Sequence, residues 1–482
     1  MKKLENYYLL ITLVLVTVFV LPNIGHFNVQ EWDEARNGVN AYEMAQNHDY
    51  FNLYYAGEPD TWNAKPPLLT WCIVASYNLF GYNEWGLRFP SFVFTLAFFT
   101  YFYLLVKNLK DRRTAMYCCL LLLSCKAILG MHVGLTGDFD ILLTWFLTAS
   151  AYYFVRYIDG GNRAAILLTG AFTGLAFYAK GPAAFLFIPG LMLYAIYSGK
   201  WKQILKDKLT WLAVALSILI AASWLLLQSL YGLRTDPGQS RYGSNSSIEV
   251  LLWHDVVRRF TDADFDHGKY IRDYFFCAHA FDVRMNIWNY IFYLIAFTGC
   301  ILLYKHRKDL RNYTQHHPAI FFAISLSVLP ILFLTLSMNQ HDWYLAPVWP
   351  QLTIILVSGM QYFAARRRQA GYLFLGLWLA LTVRHVINIV TEPEELHLAI
   401  KENADTLHSC DTIICLGAPY QNILLYAEWQ QKPMLKIDNI SDARYHSGQL
   451  LLLANKIYNE EHPVYIKKVF RVGEDYMFAR IN

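Results

Sequence analysis

Two short segments carry carboxylates suited to acid–base work: Glu31-Trp32-Asp33-Glu34-Ala35-Arg36 and Gly137-Asp138-Phe139-Asp140, the second close to His132. If two such acids converge in space, one can take a proton from a hydroxyl while the other sets the local charge. Three further segments join a cation to a proline: Lys65-Pro66-Pro67, Arg88-Phe89-Pro90-Ser91 and Lys180-Gly181-Pro182. Proline suits the first turn of a helix, whose exposed N–H groups and positive dipole end attract phosphate, and Lys65 adds a full charge there. The segment 231–285 supplies His254, Arg258, Arg259, His267 and Lys269, and its length beyond an ordinary connection suits a lid or an acceptor surface. Acids for a hydroxyl and cations for a phosphate would suit a lipid-linked phosphosugar. Simpler readings stand beside this one: Asp33 pairs with Arg36 a turn later, Asp138 ends a helix, and the cations anchor the chain to headgroups.

The elements that must position these residues are membrane helices. Of 482 residues, 55% are apolar and 16% charged, against about 25% charged in an ordinary globular protein. Disorder is excluded by 31 Phe, 34 Tyr and 14 Trp, and a net charge of +4 without a clustered basic face gives no sign of a nucleic-acid partner. Runs long enough to cross a bilayer number about eleven. They fall near residues 7–27, 87–106, 114–133, 141–157, 163–180, 182–198, 209–230, 286–304, 318–336, 345–363 and 371–390. The first lacks a small-x-small cleavage pattern and is read as a retained helix. Basic clusters at Lys107 to Arg113, Arg156 and Arg163, Lys200 to Lys208, Lys305 to Arg311 and Arg366 to Arg368 mark the inner face, with the amino terminus. The connections 131–140 and 337–344 contain no Lys or Arg and face outward, as do 28–86, 231–285 and the tail. Both acidic groups thus reach one membrane surface, and Ala41 to Ala45 reads as part of an interfacial amphipathic helix. The expected division is a membrane domain over 1–390 and a small α/β extracytoplasmic domain over 391–482. Cys410 and Cys415 lie five apart in that tail, on opposite faces of a strand, which argues against a bridge.

These motifs, in this order, resemble the GT-C membrane glycosyltransferases that include the lipid A aminoarabinose transferases and the protein O-mannosyltransferases. The resemblance covers roughly residues 5–390 and rests on Asp33-Glu34-Ala35-Arg36, Lys65-Pro66-Pro67 with Trp71, Phe80-Gly81, Glu84 and Arg88-Phe89-Pro90-Ser91. It continues through Gly137-Asp138-Phe139-Asp140 to Thr144, then Gly174, Lys180-Gly181-Pro182, Ser337, Trp343-Tyr344 and Pro347. It implies an α-helical polytopic GT-C-like bundle of about 11 to 13 spans with interfacial helices in the first outer loop. The implied reaction is inverting transfer of a sugar from a polyprenyl phosphate to a lipid A-like, glycan or protein acceptor at the periplasmic face of a bacterial inner membrane. Asp33 would be the base, Glu34 would shape the site, and Asp140, or Asp138 in reserve, would be the second carboxylate. Lys65 and one of Arg88, Arg258 and Arg259 would hold the phosphate, with Arg36, Lys180, His267 and Tyr344 as further substrate-binding candidates.

Two positions depart from the family pattern. Ala64 stands where many aminoarabinose-type relatives have a Glu before Lys-Pro-Pro, so a metal ligand of some relatives is missing and no cofactor is predicted, with a divalent metal, partnered by His254 or His267, as the alternative. Gln340 replaces the Lys of a Ser-x-x-Lys pattern, which points to a different donor sugar or acceptor. The rival class is a polytopic transporter or flippase of a lipid-linked substrate. Transporters bind near the midplane between repeated halves; here the acids gather at one interface and no repeat is visible.

Overall fold

The computed structural model describes residues 4–60, 63–160, 162–233, 246–258, 273–305 and 317–391, and in the C-terminal segment 409–416, 421–437, 449–454, 466–472 and 476–481. Two compact units emerge. The first comprises 1–21, 61–69 and 91–387; the second gathers 22–60, 70–90 and 388–482, so it joins outer-loop segments with the tail rather than following a single cut near residue 390.

The first unit is helical because its sequence offers apolar runs with few breaks. Five helices among the described residues are long and apolar enough to span a membrane: Glu5–Asn23, Glu84–Leu109, Phe139–Gly160, Lys208–Tyr231 and Pro318–Leu336. A sixth candidate is the pair Ala165–Phe185 and Ile188–Tyr197, bent by 73°. Helix Trp349–Arg366 and the shorter apolar helix Trp288–Leu302 belong to the same unit. Helix Phe139–Gly160 is largely buried, whereas Lys208–Tyr231 exposes Leu212, Ile218, Leu219 and Leu226, the pattern of a lipid-facing helix. Between them lies helix Ala165–Lys180, tied to the first by a 2.9 Å hydrogen bond between Ser150 and Thr173. Gly170 and Gly174, four residues apart, let helix Lys208–Tyr231 approach closely: a Cβ on Gly170 would sit 2.1 Å from the Ala213 carbonyl oxygen.

The helix expected over 114–133 stops early. It runs Arg112–Leu123, and 124–138 is irregular. The Ser124 N–H bonds to the Leu121 carbonyl at 3.0 Å, a tightened i−3 bond of the kind that closes a helix end. Lys126 and Gly130 follow within the apolar run, and Gly134 just after it. The outer segment 28–86 also holds an apolar helix, Leu68–Phe80, and Pro66 and Pro67 precede it rather than occupying its first turn.

In the second unit, helix Asp33–Asn47 is buried from Glu34 to Met44 except at Arg36, and the short strands β1 (Tyr54–Tyr55) and β2 (Glu58–Pro59) form an antiparallel pair. The tail forms a five-stranded mixed sheet from β3 (Thr412–Leu416), β4 (Met434–Ile437), β5 (Gln449–Ala454), β6 (Ile466–Val472) and β7 (Tyr476–Ile481), in the order β4-β3-β5-β7-β6. Strands β4, β3 and β5 are parallel, and the helix Gln421–Trp429 makes the crossover from β3 to β4. Cys410 is a free, buried thiol. Helix Gln421–Trp429 packs on helix Asp33–Asn47 where Gly38 leaves room for Leu425. The Tyr426 hydroxyl donates to Glu84 at 2.8 Å and accepts the Val29 N–H at 3.3 Å.

A carboxyl pair joins the same two helices. Glu428 is hydrogen-bonded to Glu43, whose oxygens accept the Gly57 N–H at 3.0 and 3.1 Å. Burial, then the hydrogen bond and charge of Glu43, push the Glu428 carboxyl up to about 10, and burial raises Glu43 as well. A raised carboxyl favours the fold most where the unfolded group is also protonated. The contribution is therefore complete below about pH 4.3 and is lost as pH rises towards 10. Unfolding of the purified chain should accordingly ease between pH 5 and 9, by at most about 1.4 kcal/mol per pH unit. Glu428→Gln should flatten that dependence in thermal unfolding scans; an unchanged slope would remove the pair as its cause.

Candidate active site

Asp33 opens its helix directly after Trp32, which has φ 71 and ψ −106. A bulky residue with positive φ is strained, and such strain persists only where the surroundings hold it, commonly at a working site. What holds this segment is the next residue. Glu34 is fully buried and its carboxylate accepts the Gln30 N–H at 2.8 Å and two N–H groups of Arg88 at 2.6 and 2.8 Å. Arg88 spends its other donors on the carbonyls of Ile24 (3.1 Å), Phe27 (2.7 Å) and Asn28 (2.6 Å). All five guanidinium N–H groups are thus engaged, so in this structure Arg88 orders the loop before Asp33 and has no donor left over for a phosphate. Arg36 grips Asp60 with two hydrogen bonds of 2.8 and 2.6 Å and lies over the Tyr55 ring. Asn40 adds a bond to the same carboxylate at 2.9 Å. The three polar neighbours of Asp33 therefore pin its helix on two sides.

The first unit holds a cavity of about 570 Å³. Most of its wall is apolar, including Pro182, Leu186, Leu251, Leu329 and Phe333, while Lys65, Asp140, Lys180, Ser337, Asn339 and Tyr344 supply the polar part. Helix direction explains why charges meet here. Asp140 lies in the first turn of helix Phe139–Gly160, and Lys180 in the last turn of the next helix, each at the dipole end that favours its sign. The Lys180 ammonium donates to both Asp140 oxygens, at 2.6 and 2.7 Å, and stands 4.6 Å from the centre of the Tyr344 ring. Gly181, at φ +56, ends the helix at Lys180 and allows the turn into Pro182. Asp140 neutralises Lys180, and Lys65, 5.1 Å from the Phe139 ring centre, leaves the charged lining at a net +1. That suits an anion bearing an apolar chain.

Asp138 sits outside this pair. It is buried, accepts the Thr136 hydroxyl at 2.6 Å and lies 3.5 Å from His132 Nδ1. Arg258 is partly buried at the end of the segment Val250–Arg258, whose Leu251 and Val256 line the cavity. Arg259 and His267 lie outside the described residues. Gln340 braces a loop: its side chain donates to the carbonyls of Asp273 and Thr335 and accepts the Asp273 N–H. The sequence reading passed over Asp60, Glu428 and Arg284. Only Arg284 left a trace, as an arginine on the outward side where the charge bias disfavours one.

A sequence profile of the dolichyl-phosphate-mannose-protein mannosyltransferase family matches residues 64–226. The chain is 25% identical over 386 residues to the undecaprenyl phosphate-alpha-4-amino-4-deoxy-L-arabinose arabinosyl transferase of Pseudomonas paraeruginosa, covering 78% of this chain and 62% of that one. It superposes on ArnT from Cupriavidus metallidurans, solved with undecaprenyl phosphate bound, with a TM-score of 0.71, 14% identity, and coverage of 98% and 97%. The chain is similar to the aminoarabinose transferases and protein mannosyltransferases and has a GT-C-like fold. The GT-C fold extends to the oligosaccharyltransferase of Archaeoglobus fulgidus, at a TM-score of 0.54, 13% identity, and coverage of 90% and 62%. The chain spans about three-fifths of the length of the curated relatives it matches. With this fold the chain is a polytopic helical bundle with several apolar membrane-spanning helices and a C-terminal extension.

Proposed function

We propose that this GT-C protein is an inverting glycosyltransferase that moves a sugar from a polyprenyl phosphate to an acceptor hydroxyl at the outer face of a bacterial inner membrane. The observation that carries this reading is the cavity in the first unit, apolar along most of its wall and net cationic where Lys65, Lys180 and Asp140 meet. The apolar wall suits prenyl units and the cationic end suits their phosphate. Asp33 takes the acceptor proton as the new bond forms between the acceptor oxygen and the anomeric carbon. The bond from that carbon to the phosphate oxygen breaks, its electron pair leaves with the polyprenyl phosphate, and Lys65 stabilises the charge. Arg258 and Arg259 remain the candidate arginines for the phosphate, since Arg88 is committed to Glu34 and three carbonyls. The amino terminus lies inside, the tail lies outside, and helices Trp288–Lys305, Trp349–Arg366 and Arg368–Thr391 add to the spans on the way to the expected count of about eleven. Ala64 brings no ligand atom, and the proposed steps are carried by the chain's own side chains.

The test is to incubate the purified chain and a crude envelope acceptor with a panel of sugar-linked polyprenyl phosphates and to follow the lipid fraction by mass spectrometry. Consumption of one sugar lipid with release of free polyprenyl phosphate supports transfer and names the donor. Movement of the intact lipid between leaflets without bond cleavage would favour the flippase. Lys65→Ala should raise the donor KM by about tenfold to a hundredfold, as expected when one charge-assisted contact to a phosphate is lost. An unchanged donor KM would return Lys65 to a headgroup-anchoring role.

A further inference from the structure

One buried arginine ties the aromatic wall of the cavity to the irregular loop 124–138. Arg284 ends helix Phe276–Met285, is 5% exposed, and holds both oxygens of Asp342, through Nε at 2.5 Å and Nη2 at 3.1 Å. Its third nitrogen, Nη1, donates to the carbonyls of Met131 at 3.0 Å and Lys126 at 3.3 Å. Asp342 opens the short turn Asp342–Leu345, which carries Trp343 and Tyr344. Met131 precedes His132, a non-glycine residue at φ 62 whose ring stacks on Trp343 with centroids 4.1 Å apart. His341 stacks on the same indole at 4.4 Å. Gly130 lets the loop close around the guanidinium, since a Cβ there would lie 2.8 Å from Nη1.

We propose that Arg284 is a positioning residue, clamping the Asp342–Leu345 turn to the Lys126–His132 loop so that Tyr344 stays against the Lys180 ammonium in the donor cavity; this rests on the transferase reading above. The planar guanidinium serves a carboxylate and two carbonyls at once. A lysine ammonium, a point charge on a flexible stem, cannot span that geometry. The effect on the donor passes through Tyr344, which lines the cavity.

Arg284→Lys in the full-length chain is the test, with Asp342→Asn as the second variant should the first fail to fold. Two quantities are read. Hydrogen exchange should quicken in both 126–134 and 341–346, and the KM for the sugar-linked polyprenyl phosphate should rise about tenfold with kcat changed far less. The double variant should lose little more than either single one, because the two residues act as a unit. A folded variant with unchanged exchange in either segment overturns the clamp, and a loss confined to kcat or to the yield of folded protein overturns the link to the donor. If the wild type consumes no donor at all, the transferase reading itself fails and takes that link with it, while the exchange result still decides the clamp.

Discussion

Asp33→Asn is expected to lower sugar transfer by a factor of about 10² to 10⁴, the range that a general base contributes, while the chain stays folded. The amide is nearly isosteric with the carboxylate, but it cannot take the proton of the acceptor hydroxyl. The structural cost is small by comparison. An acid in the first turn of helix Asp33–Asn47 favours the helix dipole by about 0.3 to 1 kcal/mol, and the neighbouring Glu34 and Arg88 network is untouched. The donor KM should hardly move, since Asp33 acts on the acceptor. Turnover, donor KM and thermal unfolding measured on the same preparation separate these effects. Near-normal turnover would shift the base role to another group, with Asp138 the next to test. Loss of folding together with activity would make Asp33 structural.

Arg88→Met should be the most damaging substitution to the fold. The pair it forms with Glu34 has no exposed side-chain area on either partner, and removing one member of a buried pair costs about 3 to 5 kcal/mol because a charge is stranded without water. Three carbonyls, of Ile24, Phe27 and Asn28, lose their donors at the same time. A total stability of about 5 to 15 kcal/mol leaves little margin for such a loss. Glu34→Met added to Arg88→Met should recover part of the stability by removing the stranded carboxylate. Recovery should be incomplete, because the carbonyls remain unpaired. Thermal unfolding in detergent of the two single variants and the double one measures this directly. A single variant as stable as the wild type would show that the loop before Asp33 is held by its apolar contacts, Phe27 and Val29 among them, and not by the ion pair.

Local features were the legible ones. The run Ala179-Lys180-Gly181-Pro182 states its own turn, since glycine takes the positive φ and proline can follow it. The apolar runs state their helices, and the ends of Pro318–Leu336 and Lys208–Tyr231 fall within a residue of where hydropathy puts them. The run over 114–133 misled for an equally physical reason. Hydropathy measures affinity for lipid or core, and it is blind to the i−3 backbone bond by which the Ser124 N–H closes the helix after Leu123.

By itself the sequence determined that the chain is a membrane protein, where its main helices run, and which acids and cations stand beside them, because hydropathy and charge act locally and are written residue by residue. Only the tertiary structure decided how those charges are spent. Lys180 closes on Asp140 across 40 residues, Arg88 on Glu34 across 54, and Arg284 on Asp342 across 58. No periodicity encodes such distances. A buried cation takes whichever carboxylate and carbonyls the packed helices bring within reach, since leaving it unpaired in a dry interior costs more than any local preference can repay.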